Sequence, residues 1–232
     1  CPIGDGYNLC VNPYPILPYH ITIPSAEHRE QILPADFCNT VSTLLNELPD
    51  EYALFYNGAL CGASATDHLH IQGVPTEHIP LIAFYRRPDA SISHSSVLHY
   101  IDSYVCPLFC IEQCRDGKKD ESLFTNIMKE LPCSNNEPEP KVNILAWQED
   151  EKQIILIIPR CKHRPECYSA EAGKQMLVSP GTLDMAGIIV TPHKEDFEKI
   201  STEDIRQILQ EVGLPREDAQ EIIKKYRKRD RL

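Results

Sequence analysis

His68-Leu69-His70-Ile71-Gln72 alternates polar and apolar residues with a period of two. In an extended strand that period puts both imidazoles and the amide on one face, with Leu69 and Ile71 on the other. A lone histidine on a strand is ordinarily a surface residue or a satisfied core residue, but the residues upstream change the reading. Asn57-Gly58 and Gly62-Ala63-Ser64 form a loop whose glycines let backbone N–H groups approach an anion, and the Ser64 hydroxyl adds a donor. Anion donors beside a nucleophile fit phosphoryl or nucleotidyl transfer. A neutral imidazole nitrogen attacks phosphorus near pH 7, and the phosphoramidate formed passes its group to a second acceptor. The attacking nitrogen must be unprotonated, so the other ring N–H has to be held, typically by a backbone carbonyl.

Interleaved strands and helices must position those residues. The run Asn12-Pro13-Tyr14-Pro15-Ile16-Leu17-Pro18 cannot be helical. It predicts an extended approach to a short strand at 20–23, closed by Pro24. Phe37, Val41, Leu44, Leu45 and Leu48 share one helical face between Asp36 as N-cap and Pro49 as stop. Residues 52–56 predict a buried strand, 79–85 a further strand and 88–96 a polar loop. Residues 98–114 fit helix or strand equally, and 121–131 is helical. Residues 132–141, rich in Pro, Asn and Glu, form a linker. Residues 142–147 and 153–158 make a hairpin across a charged turn. Ser179-Pro180-Gly181 leads toward a strand at 187–191, and helices at 202–212 and 216–228 close the chain. The fold class expected is α+β, a mainly antiparallel sheet flanked by helices. The expected division is a catalytic unit at 1–131, a second unit at 142–200 on the same sheet and a helical extension at 201–232.

Composition narrows the partners. The chain has 232 residues, 42% apolar and 25% charged, with 34 acidic against 23 basic residues and a net charge of −11. Those values fit a globular chain with a real core. No apolar run approaches the roughly 18 residues of a membrane span, and a strongly acidic surface repels nucleic acid. A phosphate-bearing ligand must therefore be gripped locally. The ten cysteines are spread through a chain long enough to fold without staples, and they are expected to be reduced and mostly buried. No secretory h-region opens the sequence at Cys1, where an upstream piece is equally compatible, and a cytoplasmic location is expected.

Residues 55–72 resemble the active-site segment of the histidine-triad superfamily, in its transferase branch ending in Gln. That branch holds galactose-1-phosphate uridylyltransferases, diadenosine tetraphosphate phosphorylases and GDP-hexose phosphorylases. Asn12-Pro13-Tyr14-Pro15-Ile16, with Pro18, His20 and Pro24, is similar to the strand lining the nucleoside pocket in these proteins. Ile157-Ile158-Pro159-Arg160 and residues 185–190 are similar to later phosphorylase segments, and the resemblance is greatest to a bacterial branch. It implies a HIT-like fold, with two packed halves as one form of it. It further implies a nucleoside monophosphate carried on His70, oriented by His68, with Gln72 on the phosphate oxygens. Ser64, Gly62, Thr66, Asn57 and Arg160 would bind phosphate, and Asn12, Tyr14, Pro15 and Ile16 the nucleoside. The loop departs from the branch by one extra residue, Ala65-Thr66-Asp67, which makes Thr66 a rival donor to Ser64.

The activity implied is a nucleotidyltransferase of phosphorylase type, cleaving a nucleotide-sugar or a dinucleoside polyphosphate. Gln in place of a third His cannot act as acid or base toward water, which favours a phosphate or sugar-phosphate acceptor over hydrolysis. A HIT-type hydrolase and a nucleotide-binding module without turnover are the competing readings. The nucleophile needs no resident metal or other cofactor, though Mg²⁺ with the substrate is compatible, as is a homodimer. The weaker signals keep two readings each. Arg160, Lys162, His163 and Arg164 are either an anchor for a distal phosphate or sugar or a solvated turn. Cys106, Cys110 and Cys114 lack zinc-site architecture and fit one buried helical face. Asp184 fits either a contact to ribose or sugar hydroxyls or a plain connection. Lys224–Arg229 reads as a solvated helix end.

Overall fold

In the computed structural model, which describes residues 1–87, 92–94, 98–117, 119–171 and 173–229 (backbone alone at 92–94 and 227–229), proline and glycine confine the opening of the chain to short extended pieces. These are β1 (Pro2–Ile3), β2 (Tyr7–Asn8) and β3 (Cys10–Val11), followed after the proline-rich stretch by β4 (Ile21–Pro24). Helix α1 (Phe37–Asn46) starts at Asp36 and buries Phe37, Val41, Leu44 and Leu45. Next come β5 (Tyr52–Asn57), β6 (His70–Pro75) and α2 (Pro80–Tyr85). Strands β7 (Ile92–His94), β8 (Leu98–Ile101) and β9 (Leu108–Cys114) lead to α3 (Glu121–Glu130), whose first turn is capped by the Asp120 carboxylate on the Leu123 N–H. The expected hairpin is β10 (Val142–Glu149) and β11 (Lys152–Pro159), turned at Asp150 with φ +53°. Helices α4 (Thr182–Met185), α5 (Lys194–Lys199), α6 (Thr202–Val212) and α7 (Arg216–Arg229) complete the chain.

Among the described residues nine strands form one sheet in the order β3-β4-β6-β5-β10-β11-β9-β8-β7, and every pair is antiparallel. The sheet is continuous across residues 132–141, because β5 from before them pairs with β10 from after them. Both faces are covered. Leu54, Tyr56, Ile144 and Ile157 pack with α1, α3 and α7, while their neighbours Phe55, Leu145, Trp147 and Leu156 pack with α2, α4 and α6. Burial on both faces is why β10 and β11 read as nearly unbroken apolar runs. Each fully buried leucine or isoleucine contributes about 1.5–3 kcal/mol, so the sheet is a rigid base for any residue projecting from it.

Several expectations are corrected. Residues 79–85 form a helix: Pro80, at its first position, has no N–H for a ladder and suits a first turn, and Leu81 and Ile82 are buried together rather than alternating. Residues 98–114 contain strands and no helix, so Cys106 and Cys110 are buried in the core over the sheet while Cys114 is exposed. Residues 187–191 are not a strand. Three of their amides are used locally, Gly187 N–H by the Asp184 carbonyl, Ile188 N–H by the Leu183 carbonyl and Val190 N–H by the Asp184 carboxylate, rather than by a neighbouring strand. Helix α5 was not foreseen. All ten cysteines are free thiols, but only Cys38, Cys61, Cys106 and Cys110 are buried. The polar loop at 88–96 lies mostly outside the described residues, as do the side chains of Arg227, Lys228 and Arg229. No helix among the described residues is long and apolar enough to cross a membrane.

Candidate active site

Strand β6 starts at His70, two residues later than the alternation predicts, and its register explains the site. Gln72 pairs with Phe55 on β5 and Thr22 on β4, and His70 pairs with Pro24. His70 and Gln72 therefore share the face of Phe55, while Leu69 and Ile71 are buried on the α1 side. Beyond the Phe55–Gln72 pair β5 and β6 part, and the buried Gln31 side chain fills the gap. Its Nε2 donates to the carbonyls of Asn57 (2.8 Å) and His70 (3.1 Å), and its Oε1 accepts the His70 N–H (2.8 Å). Nothing in the sequence around Gln31 signals that role.

The His70 ring is fixed by backbone. Its Nδ1 lies 2.9 Å from the His68 carbonyl, so Nδ1–H donates there and Nε2 carries the lone pair. His68 itself precedes the strand. Its Nε2 donates to the Ser25 carbonyl at 2.8 Å, and its Nδ1 faces Nδ1 of the exposed His28 at 3.2 Å. The carbonyl of His68, rather than its ring, thus orients His70, which corrects the expectation for that residue.

Gln72 is oriented in the same way. Burial lowers the pKa of His20, against a hydrogen bond to Gln72 that raises it. Neutral His20 accepts the Ile16 N–H on Nδ1 (3.2 Å) and so carries its proton on Nε2, which donates to Gln72 Oε1 at 2.9 Å. Asn12 Nδ2 donates to the same oxygen at 3.2 Å, and Asn12 Oδ1 accepts the Tyr14 N–H. With its oxygen accepting two donors, the Gln72 amide turns its N–H groups toward the cleft.

The loop after β5 is anchored by a buried polar network. Gly62 has φ +91°, and a Cβ there would lie 2.5 Å from the Gly181 Cα, so two backbones touch with no side chain between them. Asn57 Oδ1 accepts from the Thr182 N–H (2.7 Å), the Thr182 hydroxyl (2.7 Å) and Asn143 Nδ2 (3.1 Å). Asn143 Nδ2 also donates to the Cys61 carbonyl (2.7 Å). Arg160 is 1% exposed, and burial lowers its pKa. Its donors reach Asn143 Oδ1 (2.7 Å) and the carbonyls of Pro180, His163, Lys162 and Val212 (2.9, 3.0, 3.1 and 3.2 Å). Arg160 therefore binds the protein's own carbonyls and has no guanidinium edge to offer phosphate, which corrects that expectation.

Two cavities meet along Asn12, Tyr14, Ser64 and Gln72. One, of about 300 Å³, is walled by Ile16, His20, Phe55, Leu183 and Val190, with Asn57, Gly62 and the turn from Ser179 to Asp184. The other, of about 330 Å³, holds His68 and His70 with Pro13, Thr22, Pro24 and Ala65. The structure thus gathers His68, His70, Gln72, Ser64, Gly62, Asn57, Asn12, Tyr14 and Ile16 about one cleft. Thr66 is exposed and lines neither cavity, which leaves Ser64 as the loop hydroxyl, and Pro15 also lies outside, where Pro13 takes its place. Phe55, Leu183 and Val190 were missed, though Phe55 is implied once its register with Gln72 is known. Asp184 lies in the first cavity. Burial pushes its pKa up to about 6, opposed by the N–H groups of Val190 (2.8 Å) and Gly181 (2.9 Å) on its two oxygens. Among the described residues no cluster of three His, Cys, Asp or Glu is placed to hold a metal.

Comparison with known proteins places this cleft in a family. Residues 1–75 match the model of a domain of unknown function, DUF4922, and residues 98–228 match the GDPGP1-like C-terminal domain. Protein APA1 of Saccharomyces cerevisiae is 23% identical over 254 residues, covering 94% of this chain and 72% of that protein. The crystal structure of yeast Ap4A phosphorylase Apa2 in complex with Ap4A superposes with a TM-score of 0.65 at 20% identity, over 90% of this chain and 74% of that one. Apa2 in complex with AMP gives 0.63 at 22% identity, with the same coverage. The fold is therefore HIT-like, and the chain belongs to the GDPGP1-like family through its C-terminal domain.

Proposed function

We propose that the chain is a phosphorylase that splits a dinucleoside polyphosphate by nucleotidyl transfer through His70. The observation that carries this reading is the bond from His70 Nδ1–H to the His68 carbonyl, which leaves Nε2 as a lone-pair nitrogen in a cleft that also holds Ser64 and Gln72. In the first step Nε2 attacks the α-phosphorus. The N–P bond forms as the bridging P–O bond breaks, and the leaving nucleoside polyphosphate departs with the electron pair on its oxygen. The adduct retains Nδ1–H and is cationic, stabilised by the His68 carbonyl and reactive toward a nucleophile. In the second step an oxygen of inorganic phosphate attacks the same phosphorus, releasing a nucleoside diphosphate and restoring His70. Gln72 Nε2 and the Ser64 hydroxyl donate to the non-bridging oxygens where negative charge accumulates. Neither can activate water.

The relatives named for Ap4A support the dinucleotide as substrate. Two adjoining cavities, one on each side of the Ser64–Gln72 waist, suit a ligand with a bulky group at both ends. A GDP-hexose has one nucleoside and one hydroxyl-rich end, and Asp184 in the first cavity favours it as the second reading. Phosphorolysis of Ap4A and of a GDP-hexose should be followed with and without inorganic phosphate. Phosphate-dependent product is expected, and phosphate-independent product would mean a hydrolase. Without phosphate, intact-protein mass should rise by one nucleoside monophosphate. His70→Ala should lose turnover by about a thousandfold or more while still binding nucleotide. Full activity in that variant refutes the mechanism.

A further inference from the structure

The cluster of basic residues following β11 splits into different fates. Arg160 is consumed by the network described above, and Lys162 is paired with Glu211 at 2.8 Å and Glu166 at 3.3 Å. Arg164 differs. Its Nε donates to the Ser179 hydroxyl oxygen at 3.0 Å, and its guanidinium carbon lies 4.1 Å from the centroid of the Tyr168 ring, so the fork is held over that ring, with no ion pair to it among the described residues. Its backbone is restricted as well, because the buried Pro165 follows it. Ser179 lines the first cavity, so Arg164 stands one hydrogen bond behind the wall of that cavity. The Ser179 hydroxyl, already accepting from Arg164, keeps its own proton to donate. Burial lowers the pKa of the neighbouring His163, and the cations Arg164, Arg160 and Lys141 lower it further.

Resting on the function proposed above, we propose that Arg164 and the Ser179 hydroxyl form the docking point for a phosphate other than the one that His70 attacks. Planar, doubly donating and always charged, a guanidinium suits phosphate better than an ammonium does. The Asp184 carboxylate in the same cavity is capped by the N–H groups of Gly181 and Val190, and its charge keeps a phosphate at the rim. The phosphate has two sources: the remote phosphates of the polyphosphate chain, or the free phosphate that attacks the adduct.

The test uses the full chain and its Arg164→Ala, Arg164→Lys and Ser179→Ala variants. Steady-state phosphorolysis of Ap4A is measured with each substrate varied in turn, and ATP binding by calorimetry. In Arg164→Ala the KM for one or both ligands should rise tenfold or more with kcat within about twofold, as expected for losing a charge-assisted contact. Arg164→Lys should recover part of it, and Ser179→Ala should show a smaller rise. A rise confined to Ap4A assigns the remote phosphates, and a rise confined to inorganic phosphate assigns the acceptor. If the wild type turns over and neither KM moves, the docking point is refuted while the phosphorylase reading stands. If the wild type is inactive, that reading fails, and ATP binding decides alone: tenfold weaker binding to Arg164→Ala supports the docking point, and equal or absent binding overturns it.

Discussion

Replacing Arg160 with Met separates its two readings, because a phosphate ligand and an internal brace respond in opposite ways. Met has similar length and no donors. Five acceptors lose a donor, of which the Val212 carbonyl keeps the Cys161 N–H, and the Asn143 side chain and Pro180 are themselves buried. An acceptor left unpaired in the interior costs about 1–3 kcal/mol, partly offset because the guanidinium no longer has to be desolvated. Breaking a buried charged arrangement from one side typically costs about 3–5 kcal/mol. Against a total stability of about 5–15 kcal/mol that is a large share. For a chain of this size about 2–4 °C is lost per kcal/mol, so the melting temperature should fall by about 10 °C. Thermal and urea unfolding measure it, with nucleotide binding read well below the transition. If Arg160 instead bound phosphate, Arg160→Met would melt within about 2 °C of the wild type and lose only affinity. That result would refute the network argument.

Other expectations follow from the same geometry. His20→Phe removes the Nε2–H that fixes the Gln72 oxygen, leaving Asn12 alone to hold it; kcat should drop about tenfold with little change in melting temperature, and unchanged kinetics would count against the orientation argument. Gly62→Ala places a Cβ into Gly181 at a positive φ and should cost about 2–4 kcal/mol, measured by urea unfolding. Asp184 has an ordinary pKa of 3.8, raised to about 6 in the fold. Between pH 4 and 6 the native protein keeps a proton that the unfolded chain releases, so stability falls as pH rises across that window, by about 3 kcal/mol at most. The stability of the wild type relative to Asp184→Asn should shrink by that amount from pH 4 to 7, and a difference independent of pH would sink the assignment.

What the sequence reveals of this molecule tracks how local the determining forces are. Helices α1, α6 and α7 and the β10–β11 hairpin are legible because their apolar spacing lies within the element itself, with the Ser201 cap of α6 directly beside it. Residues 79–85 and 187–191 are misread because apolar content does not tell a strand from a packed turn; Pro80 and the reach of Asp184 to Val190 decide them. In the site, His70 and Gln72 stand out through alternation and resemblance. Gln31 and His20 act on residues many positions away, at Asn57, His70 and Gln72, with no periodic signature, and only the register of the sheet reveals those bonds. Arg160 shows the reverse error, since a basic residue beside a phosphate motif attracts a functional reading until its burial is known.

The bare contact between Gly62 and Gly181 limits how the cleft can be re-engineered. With no side chain to trim at that seam, the two walls behave as one welded joint, and prying it apart to admit a wider guest would drag Ser64 away from the nucleophile. Room for a bulkier ligand has to be cut from the aliphatic wall, at Ile16 or Val190, where shortening a side chain leaves the anchored seam intact.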